Sequence, residues 1–203
     1  MILLASGSWI RKTILESSKF EFIVKAADID ERTLEAQHPN ASVEELATTL
    51  ARAKAEAVQK EYPDDLIIAA DTFAVLSDGV WLHKPKSHEE AIELSLRQSG
   101  QTVRAVTGLV MSYHGKVITN STSTSITYVD FDRDTIANLL DGDDPTIRNA
   151  GLGFFIDAPG FTLVKHFRGS YTGAMGLPME LVRENMQKLG YQEQRSTKLA
   201  SAN

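Results

Sequence analysis

Short apolar runs alternate along this chain with longer stretches in which apolar residues recur every three or four positions. A short run bounded by polar or turn-forming residues is typical of a buried strand, and the longer spacing is typical of a helix packed on a sheet. In the first half of the chain the pattern predicts strands and helices in turn, at residues 2–5, 9–16, 20–24, 43–60, 66–70 and 88–98. This alternation is typical of the α/β class.

The second half of the chain is richer in β-branched residues and predicts mostly strands. The pattern predicts a hairpin and two further strands, at residues 103–113, 116–119, 125–131 and 161–167. We expect a bulge in the first of these strands at Thr107-Gly108, because a glycine interrupts it. Two helices complete the pattern, a short one through Leu140 and a last one that ends at Gly190.

The five apolar residues at 66–70 run directly into Asp71. Open α/β sheets place their chemistry just beyond the carboxyl ends of their strands, so this carboxylate is a candidate metal ligand or general base. Asp78-Gly79 predicts a hairpin that returns Lys84 towards Asp71. The ordinary alternative is that Asp71 caps a turn and that Lys84 is a solvated lysine.

Lys54 lies on the apolar face of the helix predicted at 43–60, whose start carries a capping box of Ser42 and Glu45. A lysine on such a face either extends its amine to water or needs a partner on the buried side. Asp71 is a candidate for that partner, since it follows the next predicted strand.

A strand, a loop of small residues and a helix open the chain, and this order is typical of phosphate sites. In Ser6-Gly7-Ser8 the glycine allows close backbone approach, and the N-terminus of the following helix favours an anion. Arg11 and Lys12 are unfavourable near that helix end unless a negative group binds there. The alternative is an ordinary strand-to-helix turn with exposed basic residues.

Three acidic residues follow the second predicted strand, at Asp28, Asp30 and Glu31. Mg²⁺ prefers a few carboxylates together with waters and phosphate oxygens, so this cluster could contribute ligands. A solvated acidic loop is the alternative.

Composition narrows the classes of function. A chain of 203 residues is long enough for one α/β domain. The net charge of −6 argues against a protein that binds nucleic acid or anionic membranes without specificity. The chain has no cysteine, which excludes disulfides, thiolate zinc sites and a cysteine nucleophile. No signal peptide and no membrane span is predicted, so a cytoplasmic location is expected.

Several of these segments, taken in order, resemble the motifs of the Maf family, house-cleaning nucleoside triphosphate pyrophosphatases once described as septum-formation inhibitors. The resemblance spans residues 2 to about 190. It rests on Leu4-Ala5-Ser6-Gly7-Ser8 with Arg11-Lys12, Asp30-Glu31, Ala53-Lys54-Ala55, Ala69-Ala70-Asp71-Thr72, Lys84-Pro85, Ser99-Gly100-Gln101-Thr102, Thr107-Gly108, Ala150-Gly151, Gly169-Ser170-Tyr171 and Gly176-Leu177-Pro178.

The resemblance implies an α/β fold with a mixed twisted sheet, flanking helices and a cleft between two lobes, in a single domain over residues 1–190. It also implies a homodimer that hydrolyses a nucleoside triphosphate to the monophosphate and pyrophosphate, with Mg²⁺ or Mn²⁺. We expect residues 191–203 to form a polar, disordered tail.

The resemblance also assigns roles to residues. Asp71 would accept the proton, with Glu31 and Lys84 as its catalytic companions, and Glu31 and Asp71 would bind the metal ion. Hydroxyl and basic side chains would hold the triphosphate, namely Ser6, Ser8, Arg11, Lys12, Lys54 and Lys84. The chemistry is consistent with this set, because attack on a triphosphate needs cations to neutralise its oxygens and a carboxylate to take the water's proton.

Selectivity for the base is associated in the family with positions that correspond here to Ile10, Thr72 and Ile156. Thr72 matches members that prefer dTTP and UTP. Ile10 and Ile156 stand where relatives carry side chains that can hydrogen-bond, so two polar positions are apolar in this chain. We therefore expect a modest preference among several triphosphates, modified ones included, with pyrimidines first.

Two other functions remain open from the sequence alone. A non-catalytic regulator of cell division could use the same loop to bind a nucleotide, but it would have no need of Glu31 and Asp71. A phosphatase with an aspartyl nucleophile would carry a second aspartate two residues after the first, and Phe73 occupies that position.

Overall fold

The computed structural model describes residues 1–140 and 158–192 of the chain. Ile156, the Ala150-Gly151 segment and the tail from residue 193 lie outside the described residues. No helix among the described residues combines the length and the apolarity that a bilayer span needs.

The described residues form one mixed sheet of seven strands. These are β1 (Ile2–Leu4), β2 (Phe22–Val24), β3 (Leu66–Leu76), β4 (Trp81–Leu82), β5 (Thr102–Tyr113), β6 (Lys116–Tyr128) and β7 (Val164–Arg168). Six of them run in the order β2-β1-β3-β5-β6-β7, and β4 pairs with β3. The pairs of β1 with β2 and β3 are parallel, and the other pairs are antiparallel.

The helices of the described chain are α1 (Trp9–Ser17), α2 (Glu31–Gln37), α3 (Val43–Gln59), α4 (His88–Leu96), α5 (Arg133–Leu140), α6 (Ala158–Phe161), α7 (Tyr171–Ala174) and α8 (Met179–Leu189). The α/β class and the mixed sheet with flanking helices are thereby confirmed. The capping box at the start of α3 is also confirmed, since Ser42 and Glu45 each bond the other's backbone N–H. A cleft between two lobes stays a prediction.

Strand β3 has eleven residues and differs from the prediction, which ended it at Ala70. The antiparallel neighbour β5 pairs with β3 along nearly its whole length, and this pairing carries the strand past Asp71. On the other edge, β1 pairs with β3 only as far as Ile68, and β4 pairs with it from Ala74. Asp71 therefore lies inside the strand, in the interval between two partners on one edge.

The two faces of β3 pack against different helices, because successive side chains of a strand point to opposite faces. Leu66, Ile68 and Ala70 share a core with side chains of α1 and α8. Ile67 and Ala69 share another core with side chains of α3. By the same alternation, Asp71 lies on the α3 face and Thr72 on the α1 and α8 face.

The predicted bulge at Thr107-Gly108 is wrong, since β5 pairs with β3 through both residues without a shift. The irregularity of the sheet lies instead at Thr127 and Tyr128, between β6 and β7. Gly108 is required by a close approach of α3. A Cβ at this position would lie 2.5 Å from the carbonyl oxygen of Ala47 and 2.5 Å from the amide nitrogen of Thr48.

Three other predictions need correction. β6 is one continuous strand of thirteen residues, where the pattern predicted two pieces. The strand predicted at 161–167 begins later, as β7 at Val164, and Phe161 is instead the last residue of α6. Helices α2 and α7 were not predicted, because neither carries an apolar stripe long enough to indicate a helix.

The contact between Gly108 and α3 generates a prediction about stability. The Gly108→Ala variant should lose roughly 1–3 kcal/mol of unfolding free energy, because its methyl group meets backbone atoms that cannot rotate away. Urea denaturation followed by circular dichroism would measure the change. Gly7→Ala is the matched control, since a Cβ there finds only an ordinary contact of 3.7 Å with Ala26. Equal midpoints for the two variants would contradict this account of Gly108.

Candidate active site

The ammonium group of Lys54 contacts two of the acidic residues that the sequence indicated as candidates, Glu31 and Asp71. Lys54 Nζ lies 2.8 Å from Glu31 Oε1 and also donates to Asp71 Oδ1. Lys54 is buried on α3, Asp71 is buried on β3, and Glu31 is the first residue of α2. A buried carboxylate is unfavourable without a partner, and Lys54 supplies the compensating charge. The structure thus brings Lys54, Asp71 and Glu31 together.

The pKa of Glu31 depends on the charged groups around it. Partial burial raises the pKa of Glu31, but the hydrogen bond and charge of Lys54 and the charges of Lys84 and Arg11 outweigh burial and hold the pKa below its ordinary value. Lys84 itself is exposed and follows β4, so the hairpin does return it to the electrostatic range of Glu31. Glu31, Lys54 and Asp71 are thus in direct contact, and Lys84 acts on Glu31 through its charge.

Glu35 is a neighbour that sequence reasoning missed. It lies one turn after Glu31 on α2, and its pKa is raised by burial and by the charges of Asp71 and Glu31. The signal available in the sequence was the spacing of four residues between the two glutamates, which only matters once the segment is known to be a helix.

Arg11 is placed differently from Lys12. The Arg11 side chain is buried and donates from Nε to the Gly176 carbonyl oxygen at 2.8 Å, from Nη1 to Ser6 Oγ at 3.1 Å and from Nη2 to Thr72 Oγ1 at 3.0 Å. Burial lowers the pKa of the guanidinium, and the charges of Asp71 and Glu31 oppose that change. Arg11 thus ties the first loop to β3 and to the turn before α8.

Lys12 is exposed and lies 3.5 Å from Glu16 on the same helix. It does not join the cluster around Lys54. Ile10 is half-buried on α1, beside the exposed Trp9. Of the side chains predicted to hold the phosphates, Ser6 and Arg11 touch each other, whereas Lys12 lies on the outer face of α1.

The loop before α1 is arranged to donate hydrogen bonds. Ser6 Oγ accepts from Arg11 Nη1 and, at 3.2 Å, from the amide of Ser8. A hydroxyl has two acceptor positions and one proton, so these two bonds leave Ser6 its proton to donate. Ser8 stands at the N-cap of α1 without a capping bond from its side chain. The N-terminus of α1 therefore combines a donor hydroxyl with the positive end of a helix dipole, which favours an anion.

Thr72 is the next side chain along β3 after Asp71 and lies on the opposite face. Its Oγ1 is 2.8 Å from Thr107 Oγ1, and Thr107 donates to the Gly173 carbonyl oxygen at 2.7 Å. Thr107 was a family motif residue without an assigned role, and its pairing opposite Thr72 in the sheet explains the contact. No pattern in the sequence indicated that Gly173 and Gly176 would reach this network.

Glu31 and Asp71 could supply two of the ligands that a divalent cation needs. Glu31 and Asp71 are two carboxylates around one ammonium, and Mg²⁺ is commonly held by one or two carboxylates together with waters and substrate phosphates. Among residues 1–140 and 158–192 there is no group of three or more acidic, histidine or cysteine side chains that could hold a metal ion by itself. The donor set is therefore suited to an ion that arrives with phosphate oxygens.

The model of the family described as Maf-like protein matches residues 1–189. A dTTP/UTP pyrophosphatase of Pyrococcus abyssi is 36% identical over 191 residues, which are 94% of this chain and 97% of that protein. A nucleoside triphosphate pyrophosphatase of Corynebacterium glutamicum is 32% identical over 190 residues, 94% of this chain and 95% of that protein. A dTTP/UTP pyrophosphatase of Fusobacterium nucleatum is 32% identical over 192 residues, 94% of this chain and 96% of that protein.

Matches of this length cover the loop before α1, the Lys54 cluster and the Arg11 network together. The chain belongs to the family of Maf-like proteins.

Proposed function

We propose that this protein hydrolyses nucleoside triphosphates to the monophosphate and pyrophosphate. The observation that carries the proposal is the ammonium of Lys54 between Glu31 and Asp71, within the electrostatic range of Lys84. A protein that only binds a nucleotide has no need of a buried carboxylate beside its phosphate site. The relatives named nucleoside triphosphate pyrophosphatase and dTTP/UTP pyrophosphatase support the same reaction.

In this reaction a water molecule attacks the α-phosphorus and the bond from that phosphorus to the bridging oxygen breaks. Asp71 takes the proton of the attacking water, and pyrophosphate leaves with the bridging oxygen. Lys54 holds the Asp71 carboxylate in place through their hydrogen bond. The position of Asp71 inside a paired strand fixes its backbone, which keeps the carboxylate oriented without reorganisation.

The phosphates would be held at the N-terminus of α1 and by the lysines. Ser6 has a proton to donate, and the dipole of α1 favours negative charge at this end. Lys84 is exposed, so a phosphate can reach its ammonium without displacing a buried contact. Arg11 acts here by positioning Ser6, since three of its five N–H groups donate to Gly176, Ser6 and Thr72 within the protein.

We propose Mg²⁺ or Mn²⁺ as the cofactor, held by Glu31 and Asp71 together with phosphate oxygens. A bound divalent ion neutralises the charge that develops on the phosphate oxygens. Lys54 lies between the same two carboxylates, so it keeps them together until the ion and the substrate arrive. A homodimer and a cytoplasmic location stay predictions from the family resemblance.

For the base, we propose a modest preference with pyrimidines first. Thr72 matches the members that prefer dTTP and UTP, while Ile10 can only offer apolar contact. A site that hydrogen-bonds its substrate can discriminate by about 10⁴-fold, whereas an apolar pocket reaches roughly 10- to 200-fold. Modified nucleotides are therefore within the expected range of substrates.

One experiment separates this function from its alternatives. The protein is incubated with a nucleoside triphosphate and Mg²⁺, and pyrophosphate is resolved from orthophosphate by ³¹P NMR. Pyrophosphate together with the monophosphate supports the proposal. Orthophosphate together with the diphosphate would instead indicate a phosphatase. Binding without turnover, measured by calorimetry, would favour a regulator that only senses nucleotides.

The Asp71→Asn variant tests the general base. Asparagine keeps the size of the side chain but cannot accept the water's proton, so turnover should fall by roughly 10²-fold or more. Nucleotide binding should persist. Asp78→Asn is the matched control, because Asp78 is exposed and asparagine can still accept the bond from the Val80 amide. An unchanged rate for Asp71→Asn would refute the assignment.

Lys→Met variants test the two lysines. Removal of the charge at Lys54 or Lys84 should weaken binding of a triphosphate more than binding of a monophosphate, because each added phosphate brings negative charge. Isothermal titration calorimetry would give both affinities, with Lys188→Met as a control for loss of a surface charge. Equal losses for the two ligands would indicate a structural role, and loss of folding would make Lys54 a core residue.

A panel of canonical and modified triphosphates tests the selectivity, measured as kcat/KM for each. We expect differences below about a thousandfold. Trp9 is exposed at the start of α1 and is a candidate for stacking on the base, so Trp9→Ala should flatten the preferences. Discrimination above that range for one base would mean that a residue other than Ile10, Thr72, Ile156 and Trp9 recognises it.

A further inference from the structure

Four groups form a continuous chain of hydrogen bonds at the α1 and α8 face of the sheet. Arg11 Nη2 lies 3.0 Å from Thr72 Oγ1, which lies 2.8 Å from Thr107 Oγ1, which lies 2.7 Å from the Gly173 carbonyl oxygen. Thr107 is fully buried, and Thr72 is half-buried. The two ends of this chain determine the direction of each bond.

At one end, the Gly173 carbonyl can only accept a hydrogen bond, so Thr107 must donate its single proton there. The bond between the two threonines then needs its proton from Thr72, because Thr107 has none left. At the other end, a guanidinium can only donate, so Thr72 Oγ1 accepts from Arg11.

Thr72 is thereby left with one unused acceptor position, and its proton is already donated to Thr107. Towards any ligand, its hydroxyl can accept a hydrogen bond but cannot donate one. Ser6 has the reverse state, because Arg11 and the Ser8 amide occupy both of its acceptor positions. A single buried guanidinium thus contacts one hydroxyl that only donates and another that only accepts.

We propose that Thr107 is a positioning residue that makes the Thr72 hydroxyl an obligate acceptor towards the nucleotide base. Uracil and thymine carry an N–H at the ring position where cytosine carries a lone pair. An acceptor at this place therefore favours uracil and thymine and repels cytosine. The inference rests on the proposed function and on the part that Thr72 is proposed to play in selecting the base.

The role of Thr107 differs from that of a residue that merely packs. If valine replaces it, the Thr72 hydroxyl is free to rotate and can donate its proton into the site. Cytosine then gains a partner and uracil loses its advantage, although the shape of the side chain is kept. Loss of packing alone would weaken the binding of both bases to the same extent.

Binding without turnover tests this directly. Analogues of UTP and CTP with a methylene group between the α- and β-phosphorus cannot be cleaved there, and calorimetry gives both dissociation constants. The wild-type protein should bind the UTP analogue more tightly. Thr107→Val should reduce the ratio of the two constants by roughly tenfold, the scale of one hydrogen bond, while Thr107→Ser should keep it.

Thr124→Val is the matched control. Thr124 is fully buried on β6, and its hydroxyl donates to the carbonyl of Ser170 at 2.9 Å, next to α7, but it does not contact Thr72. Its variant should leave the ratio unchanged. If Thr107→Val does not fold, Thr72→Val and Thr72→Ser replace it, and the valine variant alone should lose the preference.

The outcomes separate the two proposals. An unchanged ratio in Thr107→Val, the same loss in Thr107→Ser, or an equal shift in Thr124→Val overturns the inference about Thr107. A shifted ratio without any hydrolysis of UTP overturns the proposed function and leaves the inference standing. A wild-type protein that binds neither analogue, or binds both equally, overturns the inference.

Discussion

The ammonium of Lys54 compensates two carboxylates at once, and the arrangement of the site depends on this interaction. Asp71 is buried, and a buried negative charge without a partner is unfavourable. Removing one member of such a group leaves the others uncompensated, which costs more than the pair contributes. The elements that carry the cluster, α2, α3 and β3, are therefore held to one another by charge as well as by packing.

The approach of α3 to the sheet makes this interaction possible. Gly108 pairs with Asp71 across the sheet, and it lacks the Cβ that would meet the backbone of α3 at Ala47. Lys54 lies two helical turns further along the same helix. The glycine is thus part of the geometry of the site through its contact with α3.

The sequence predicted some residues of the candidate site and missed others, for reasons that differ from residue to residue. Lys54 stood out because a charge on an apolar helical stripe needs a partner, and Asp71 because it followed a buried run. Gly108 was misjudged because a glycine in a strand is compatible with a bulge or with a close approach, and only the position of α3 decides between them. Arg11 bonds the turn before α8 and Thr107 bonds α7, each across more than sixty residues of sequence, and no local pattern indicates such contacts.

Asp71 and Thr72 are consecutive residues on opposite faces of β3, so the proposed general base and the residue proposed to recognise the nucleobase lie on different sides of one strand. The edge of β3 that pairs with β1 and β4 has no strand partner between Ile68 and Ala74 in the described chain. Side chains of a strand alternate with a period of two, so a deletion of one residue within β3 would exchange the two faces. The alternation of side chains along β3 therefore couples the proposed general base Asp71 to the proposed selectivity residue Thr72. A shift that moves one of them to the other face of the sheet moves both.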